Sequence, residues 1–293
     1  MSLCLVFGKT GQVAQGITEL TSQYPSLEIV QVGRERVNFT HPETVAEEVI
    51  RVRPAVVINA VAYTKVDQAE SDEPNALLVN ASSPALMAEA CGQVGSALIH
   101  LSTDYVFAGD ASQPYCEGDM IAPTGAYGRT KAQGEQAVQS ALKRHLILRT
   151  AWVFSAVGQN FVKTMLKLNR DLVRVVNDQI GNPTPAPAIA AATLEMAARI
   201  VQGSEGPWGI YHFSGQPATT WFGFAQAIFA EAERLGRPSP TLEPITTDQY
   251  PLPARRPAWS VLNNEKIIQD WGIHPPDWRQ SLPAIVHSLI EQG

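Results

Sequence analysis

The stretch Leu3-Cys4-Leu5-Val6-Phe7-Gly8-Lys9-Thr10-Gly11-Gln12-Val13-Ala14 sets the terms for everything that follows it. An unbroken apolar run enters a turn marked by Gly8 and Gly11, and a helical pattern starts at about Gly11. An apolar run without polar alternation suits a strand covered on both faces, which is the habit of parallel sheets. The turn reads G-x-x-G-x-x-A, not the dinucleotide fingerprint G-x-G-x-x-G, but its physical needs are similar. Gly8 permits a tight turn, Gly11 lets backbone approach a pyrophosphate, and small Ala14 lets the helix pack on the strand. The first amides of the helix, around Gln12 and Val13 after Thr10, then face the phosphates. The alternative is a plain strand–helix turn. Its place in the first βα unit favours a nucleotide.

Working outward, the first half alternates strands with helices. Strands are predicted at Glu28 to Val32, Ala55 to Asn59, Ala97 to Leu101 and Leu146 to Arg149, and one helix over Pro74 to Cys91. Alternation of this kind predicts an α/β fold, a doubly wound parallel sheet of Rossmann-like type. Beyond about residue 152 prolines cluster at 183–187, 238–240 and 251–257, with helices predicted near 187–202, 221–235 and 279–291. We read residues 1–152 as the dinucleotide-binding domain. Residues 153–293 form mainly a smaller C-terminal substrate lobe, with segments threading back into the first domain.

Composition narrows the function classes. The chain has 293 residues, enough for a large core, with 45% hydrophobic and 17% charged residues, ordinary for a soluble globular protein. Its 22 basic and 28 acidic residues leave a net charge of −6 without a long basic run, so nucleic acid is not an expected partner. The apolar start is too short for a membrane span or signal peptide, so no membrane association is expected. Cys4, Cys91 and Cys116 lack metal-ligand spacing and read as reduced thiols of a cytoplasmic protein.

Two further motifs carry chemistry. Ser102-Thr103-Asp104 closes the fourth predicted strand, where an open α/β sheet binds ligands. Tyr127-Gly128-Arg129-Thr130-Lys131 places a phenol and an ammonium on one helix face. Beside a nicotinamide, Lys131 is expected to lower the pKa of Tyr127 and hold the nicotinamide ribose. Tyr127 would protonate a substrate carbonyl oxygen, and Thr103 would hydrogen-bond it. The bland alternative is a packed phenol and a snorkelling lysine. After the second strand no acid stands at the ribose position until Glu35; Arg34 there suits a 2′-phosphate and predicts NADPH over NADH. A solvated loop charge is the other reading of Arg34.

These residues resemble the extended short-chain dehydrogenase/reductase superfamily and, more narrowly, the dTDP-4-dehydrorhamnose reductase family. The likeness runs over almost the whole chain. It covers 8–13, Asn59-Ala60, Val66 to Ser71, 102–107, Tyr127 to Lys131, Arg149 to Phe154, Asn160 to Met165, Asn177 to Gln179 with Gly181 and Pro183-Thr184, and Pro253 to Pro257. It implies NADPH-dependent reduction of the 4-keto group of dTDP-4-dehydro-β-L-rhamnose to dTDP-β-L-rhamnose. It also implies that Gly11, Gln12 and Val13 touch the pyrophosphate and that Asn38 and Phe39 lie on the adenine side. Ala60, Ala62, Tyr63, Thr64 and Ser102 contact the cofactor, and Thr103, Asp104 and Trp152 the nucleotide sugar. Arg255 and Arg256 suit a diphosphate because guanidinium forks bind phosphate oxygens bidentately. Some members bind Mg²⁺ between subunits through glutamates; here those regions read Gln15-Gly16 and Ala190-Ala191-Ala192, leaving only Glu291, so neither the metal nor that dimer is expected. Relatives that eliminate water carry a Glu where this chain has Tyr105. The competing readings are another nucleotide-sugar epimerase or reductase, and a non-catalytic NADP-binding regulatory subunit like the β subunit of methionine adenosyltransferase.

Overall fold

A computed structural model describes residues 1–168, 170–203 and 206–292. The strands of its main sheet are β1 (Ser2–Phe7), β2 (Leu27–Val32), β3 (Val56–Asn59), β4 (Ala97–Thr103) and β5 (His145–Thr150). Shorter strands follow: β6 (Val153–Phe154), β7 (Leu172–Val176), β8 (Ile180–Gly181) and β9 (Thr184–Pro185). The last are β10 (Gly209–His212), β11 (Thr219–Thr220) and β12 (Thr241–Ile245). The central six-stranded sheet has the order β10-β5-β4-β3-β1-β2, and every pairing in it is parallel. Its order reverses between β1 and β3. Ligands of such sheets bind beyond the strand ends at that switch point.

Strand alternation explains why both faces are covered. Cys4, Val6, Val56, Ile58, Ala97, Ile99, Leu146 and Leu148 point to one buried cluster, whose helical side is α8 (Ala186–Val201) and α1 (Gln12–Leu20). Leu5, Phe7, Val57, Leu98 and Ile147 point to the other. There they meet α2 (Pro42–Val52), α5 (Ser83–Val94) and α6 (Ala126–Ala141). The sixth strand and the α8 cover therefore come from residues 186–212, beyond the Rossmann-like half of the sequence. A separate cluster, with Phe154, Val162, Phe224, Ile228, Trp278 and Val286, joins α7 (Phe161–Lys167), α9 (Trp221–Arg234) and α11 (Trp278–Glu291) with the parallel pair β7–β12.

Two local features differ from the sequence reading. Helix α2 lies where no element was expected. Its charges hide a stripe whose fully buried apolar residues are only Val45 and Val49, with Glu48 buried beside them, and it ends at Arg53 in the left-handed region (φ 50°) rather than at a glycine. The single helix predicted over Pro74 to Cys91 is divided into α4 (Glu73–Leu77), a π turn (Leu78–Ser82) and α5. The preceding short α3 (Val66–Ala69) and, near the C-terminus, α10 (Glu265–Trp271) complete the helices. At the π turn the chain meets α6 so closely that a Cβ at Gly134 would lie 2.0 Å from the Asn80 carbonyl oxygen. Among the described residues no helix is long and apolar enough to cross a membrane.

Candidate active site

The tips of β4 and β5 and the first turn of α6 converge beyond the sheet. Thr103 ends β4 and caps the short turn Asp104–Val106, accepting from the Tyr105 amide (3.2 Å) and donating to Asp104 Oδ1 (2.9 Å). Asp104 is buried, and its Oδ2 has no partner among the described residues. Burial pushes its carboxyl up to about 6, against the hydrogen bond from Thr103 that works to lower it. Ser102 Oγ and Thr150 Oγ1, at neighbouring strand tips, are likewise buried without partners. Buried polar atoms rarely stay unpaired, so these three are candidates for ligand contacts.

Helix α6 brings Tyr127 and Lys131 to this point. Its first amide, at Ala126, donates to Glu70 Oε1 (2.8 Å), an acid well placed against the positive helix end. Gly128 is required by close approach: a Cβ there would lie 2.2 Å from the Tyr105 carbonyl oxygen and 2.9 Å from Pro123 Cβ. Gly128→Ala must push the helix off the Asp104–Val106 turn. It is expected to lower kcat by about 10²-fold, the scale of a 1 Å misplacement, with a stability loss of roughly 1–3 kcal/mol. Initial rates and a urea melt check this; a fully active, equally stable variant would remove the close contact from the account.

The electrostatics of the pair run against one expectation. Lys131 was expected to lower the phenol of Tyr127, but burial pushes Tyr127 up to about 12, opposed by the Thr103 hydroxyl and reinforced by Asp104. Burial also lowers Lys131, to about 8, with Glu135 working the other way. Nor does Lys131 snorkel: it is only 1% exposed, and Nζ donates to the Leu101 carbonyl (2.7 Å) and lies 3.2 Å from His100 Nε2. For both groups loss of solvation is the largest influence. Tyr127 itself is half-buried, with its ring edge-on to Tyr105 at 5.4 Å.

The glycine turn lies at the switch point. Gly8, at φ 120°, would bring a Cβ to 3.3 Å from Ala14 Cβ and 3.4 Å from the Ala60 carbonyl oxygen. At Gly11 a Cβ would meet nothing nearer than that same oxygen at 4.0 Å. Helix α1 starts without a side-chain cap, so its first amides are open to an anion, and the turn fits a dinucleotide pyrophosphate. The Thr10 carbonyl accepts from Gln15 Nε2, and Val13 packs against the core. The Gln12 side chain is engaged elsewhere: its Oε1 accepts from Ser155 Oγ (2.8 Å) and Asn160 Nδ2 (3.0 Å), tying α1 to the segment after β6. At the end of β2, Arg34 is exposed, and Glu35 pairs with Lys9. Asn38 is exposed, whereas Phe39 is core, edge-on to Phe7 at 5.7 Å. Ala60 to Thr64 line the opposite lip. Tyr63 donates its amide to Asn80 Oδ1 (2.8 Å) and its hydroxyl to Asp72 (2.9 Å).

On the substrate side, Trp152 follows β5 with φ 44°, a left-handed conformation for a bulky residue. Its indole stacks on Trp221 at 3.5 Å and covers Gly181. Arg255 is exposed. Arg256 is not an open fork: its Nη2 donates to Asp67 Oδ2 (2.6 Å), while the Ala254 amide donates to Asp67 Oδ1 (3.1 Å). That clasp fastens the Pro253–Pro257 loop to α3. Among the described residues no three His, Cys, Asp or Glu side chains converge to hold a metal ion. Gly16, on the helix where related glutamates would stand, packs against Ala190.

Sequence reasoning passed over His100 and Asn80, and quoted Asn59 and Glu70 without giving either a role. His100 and Asn59 are fully buried in apolar strands, Asn80 in the π turn. A polar residue inside Val56-Val57-Ile58-Asn59 or Ala97-Leu98-Ile99-His100 is the signal that would have drawn attention to the first two.

A switch-point crevice with an open helix start, a strand-end Thr, and a Tyr and Lys one helical turn apart define a nucleotide-dependent oxidoreductase of the short-chain type. The chain matches the model of the RmlD substrate binding domain over residues 1–290, and it belongs to that family, which includes the dTDP-4-dehydrorhamnose reductases. It is 41% identical to the dTDP-4-dehydrorhamnose reductase of Aggregatibacter actinomycetemcomitans, over 97% of this chain and 98% of that one. A crystal structure of a dTDP-4-dehydrorhamnose reductase from Clostridium acetobutylicum superposes with TM-score 0.90 at 32% identity, covering 99% and 100% of the two chains. The Bacillus anthracis enzyme, solved in complex with NADP, superposes with TM-score 0.86 at 32% identity over 97% and 98%.

Proposed function

We propose that this protein reduces the 4-keto group of dTDP-4-dehydro-β-L-rhamnose with NADPH, giving dTDP-β-L-rhamnose. The observation that carries this reading is the meeting of Thr103, Tyr127 and Lys131 at the tip of β4, within the family of such reductases. The bound cofactor supplies the hydride. The protein's own residues do the rest. Amides at the start of α1 hold the pyrophosphate, and the Gly8 turn and the Ala60–Thr64 lip flank it. Thr103 orients the carbonyl oxygen, and Tyr127, whose phenol keeps its proton at neutral pH, donates it to that oxygen. Lys131 stabilises the phenolate that remains. Trp152, half-buried and held by its stack on Trp221, offers the exposed edge of its indole to the nucleotide sugar, Asp104 an acceptor for its hydroxyls, and Arg255 a charge for its diphosphate, with Arg256 placing that loop through Asp67. Residues 1–152 with 186–212 serve the cofactor, and most of the remainder the substrate. Free thiols suit a cytoplasmic site for this reaction.

Incubation with NADPH and dTDP-4-dehydro-β-L-rhamnose tests this: one NADPH is consumed per dTDP-β-L-rhamnose formed. Turnover of the sugar without net NADPH loss would favour an epimerase, and binding without turnover a regulatory subunit. Cofactor choice follows from Arg34, since Glu35 is already engaged by Lys9. Arg34→Ser is expected to lower kcat/KM for NADPH by roughly 10-fold or more, the scale of a lost charge-assisted hydrogen bond, and to leave the value for NADH unchanged. Equal losses with both cofactors would take Arg34 off the 2′-phosphate.

A further inference from the structure

Behind Lys131 lies a hydrogen-bond chain, buried at Asn59 and His100, whose directions can be worked out from its far end. The Val61 amide donates to Asn59 Oδ1 (3.1 Å), which sets the orientation of the Asn59 side chain. Asn59 Nδ2 then faces His100 Nδ1 at 3.0 Å. An amide nitrogen only donates, so Nδ1 accepts and the imidazole proton sits on Nε2. Nε2 faces Lys131 Nζ at 3.2 Å, and an N–H cannot share that contact with an ammonium, which has no lone pair. That contact is a hydrogen bond only while Nζ, as a neutral amine, accepts from His100 and donates to the Leu101 carbonyl at 2.7 Å; the ammonium loses it.

We infer that His100, its tautomer fixed by Asn59, is a positioning residue that acts through Lys131, biasing Nζ toward the neutral amine and setting the pH at which it gains and loses its proton. The other groups facing this point do not supply the same bias. Glu135, one turn along α6, favours the ammonium but is held by Arg149. Tyr127, one turn earlier, keeps its proton. On the neighbouring strand β5, His145 donates from Nδ1 to the Leu142 carbonyl rather than reaching Lys131. Burial already lowers Lys131 to about 8, so a further bias from His100 falls near the working pH, where an exchanged proton is useful for acid–base chemistry.

The role of His100 in turnover rests on the reductase reading, but its effect on Lys131 can be read without substrate. Protein labelled with ¹³C at lysine Cε is titrated by NMR, with the Lys131 signal assigned by its loss in Lys131→Arg. In His100→Gln the side-chain carbonyl can turn to the ammonium, and the Lys131 pKa is expected to rise by about one unit or more, tenfold in the ionisation constant. An unchanged value in His100→Gln, or a Lys131 that titrates in the ordinary lysine range in the unaltered protein, overturns the inference. Should His100→Gln not fold, long-range ¹H–¹⁵N imidazole spectra of the unaltered protein decide: the Nε2–H tautomer at His100 is expected, and an Nδ1–H tautomer overturns the inference. In turnover, the alkaline limb of kcat/KM should move up with the lysine, because the ammonium that stabilises the phenolate is lost as pH rises through its pKa. A titration shift with no activity in any variant would count against the reductase reading and leave the link between His100 and Lys131 standing.

Discussion

Tyr127→Phe is expected to lower kcat for 4-keto reduction by roughly 10²–10⁴-fold while leaving NADPH affinity unchanged. The change removes only the hydroxyl. The ring keeps its edge-on contact with Tyr105, and Gly128 keeps α6 seated on the Asp104–Val106 turn. What is lost is a proton donor that burial holds protonated far above neutral pH, so the effect falls on the chemical step. Single-turnover rates separate that step from binding, and fluorescence titration reads the cofactor. A rate equal to that of the unaltered protein would exclude Tyr127 from the mechanism. Loss of cofactor binding in step with rate would assign it to the cradle instead.

The second large effect concerns stability. Arg149, inside β5, and Glu135, inside α6, form an ion pair in which both side chains are 0% exposed. Nε of Arg149 donates to both carboxylate oxygens (2.9 and 3.2 Å) and Nη2 to Oε2 (2.7 Å), with the guanidinium 5.0 Å over the Phe107 ring. His212 is close by but stays neutral, lowered to about 3 by burial and then by Arg149. Glu135→Ala leaves a buried, uncompensated cation and is expected to cost roughly 3–5 kcal/mol, read as a fall in the urea midpoint at constant slope. Glu135→Leu with Arg149→Met should recover most of that loss, because removing both charges also removes their desolvation cost. A single variant that loses less than about 1 kcal/mol would show that the pair does not hold α6 to the sheet.

Much of this fold was legible in Leu3 to Ala14 and in the apolar runs that repeat its pattern. The strands of the first half and the helices at 186–201, 221–234 and 278–291 lie close to where periodicity placed them. Helix α2 escaped notice because Val45 and Val49 are too few to stand out among its charges. The π turn escaped because its cause is a neighbour, the closeness of Gly134 to Asn80, which no local pattern records. The site motifs could be read as candidates, since glycines before a helix and a Tyr and Lys one turn apart are local patterns. Their surroundings could not. Phe39 is spent in the core, Arg256 is claimed by Asp67, and Gln12 ties α1 to a segment far along the chain.

The order of residues alone determined which stretches lie between the layers, because burial on two faces demands an unbroken apolar strand and a buried helix face demands its stripe. It also placed a phenol and an amine on one face of a helix. Only the tertiary structure decided their protonation. Removal from water raises the phenol of Tyr127 and lowers the amine of Lys131, and the direction of a chain from Val61 through Asn59 and His100 exists only once β3, β4 and α6 are packed together. Desolvation and hydrogen-bond direction depend on what surrounds an atom in space, and no spacing along a chain encodes them.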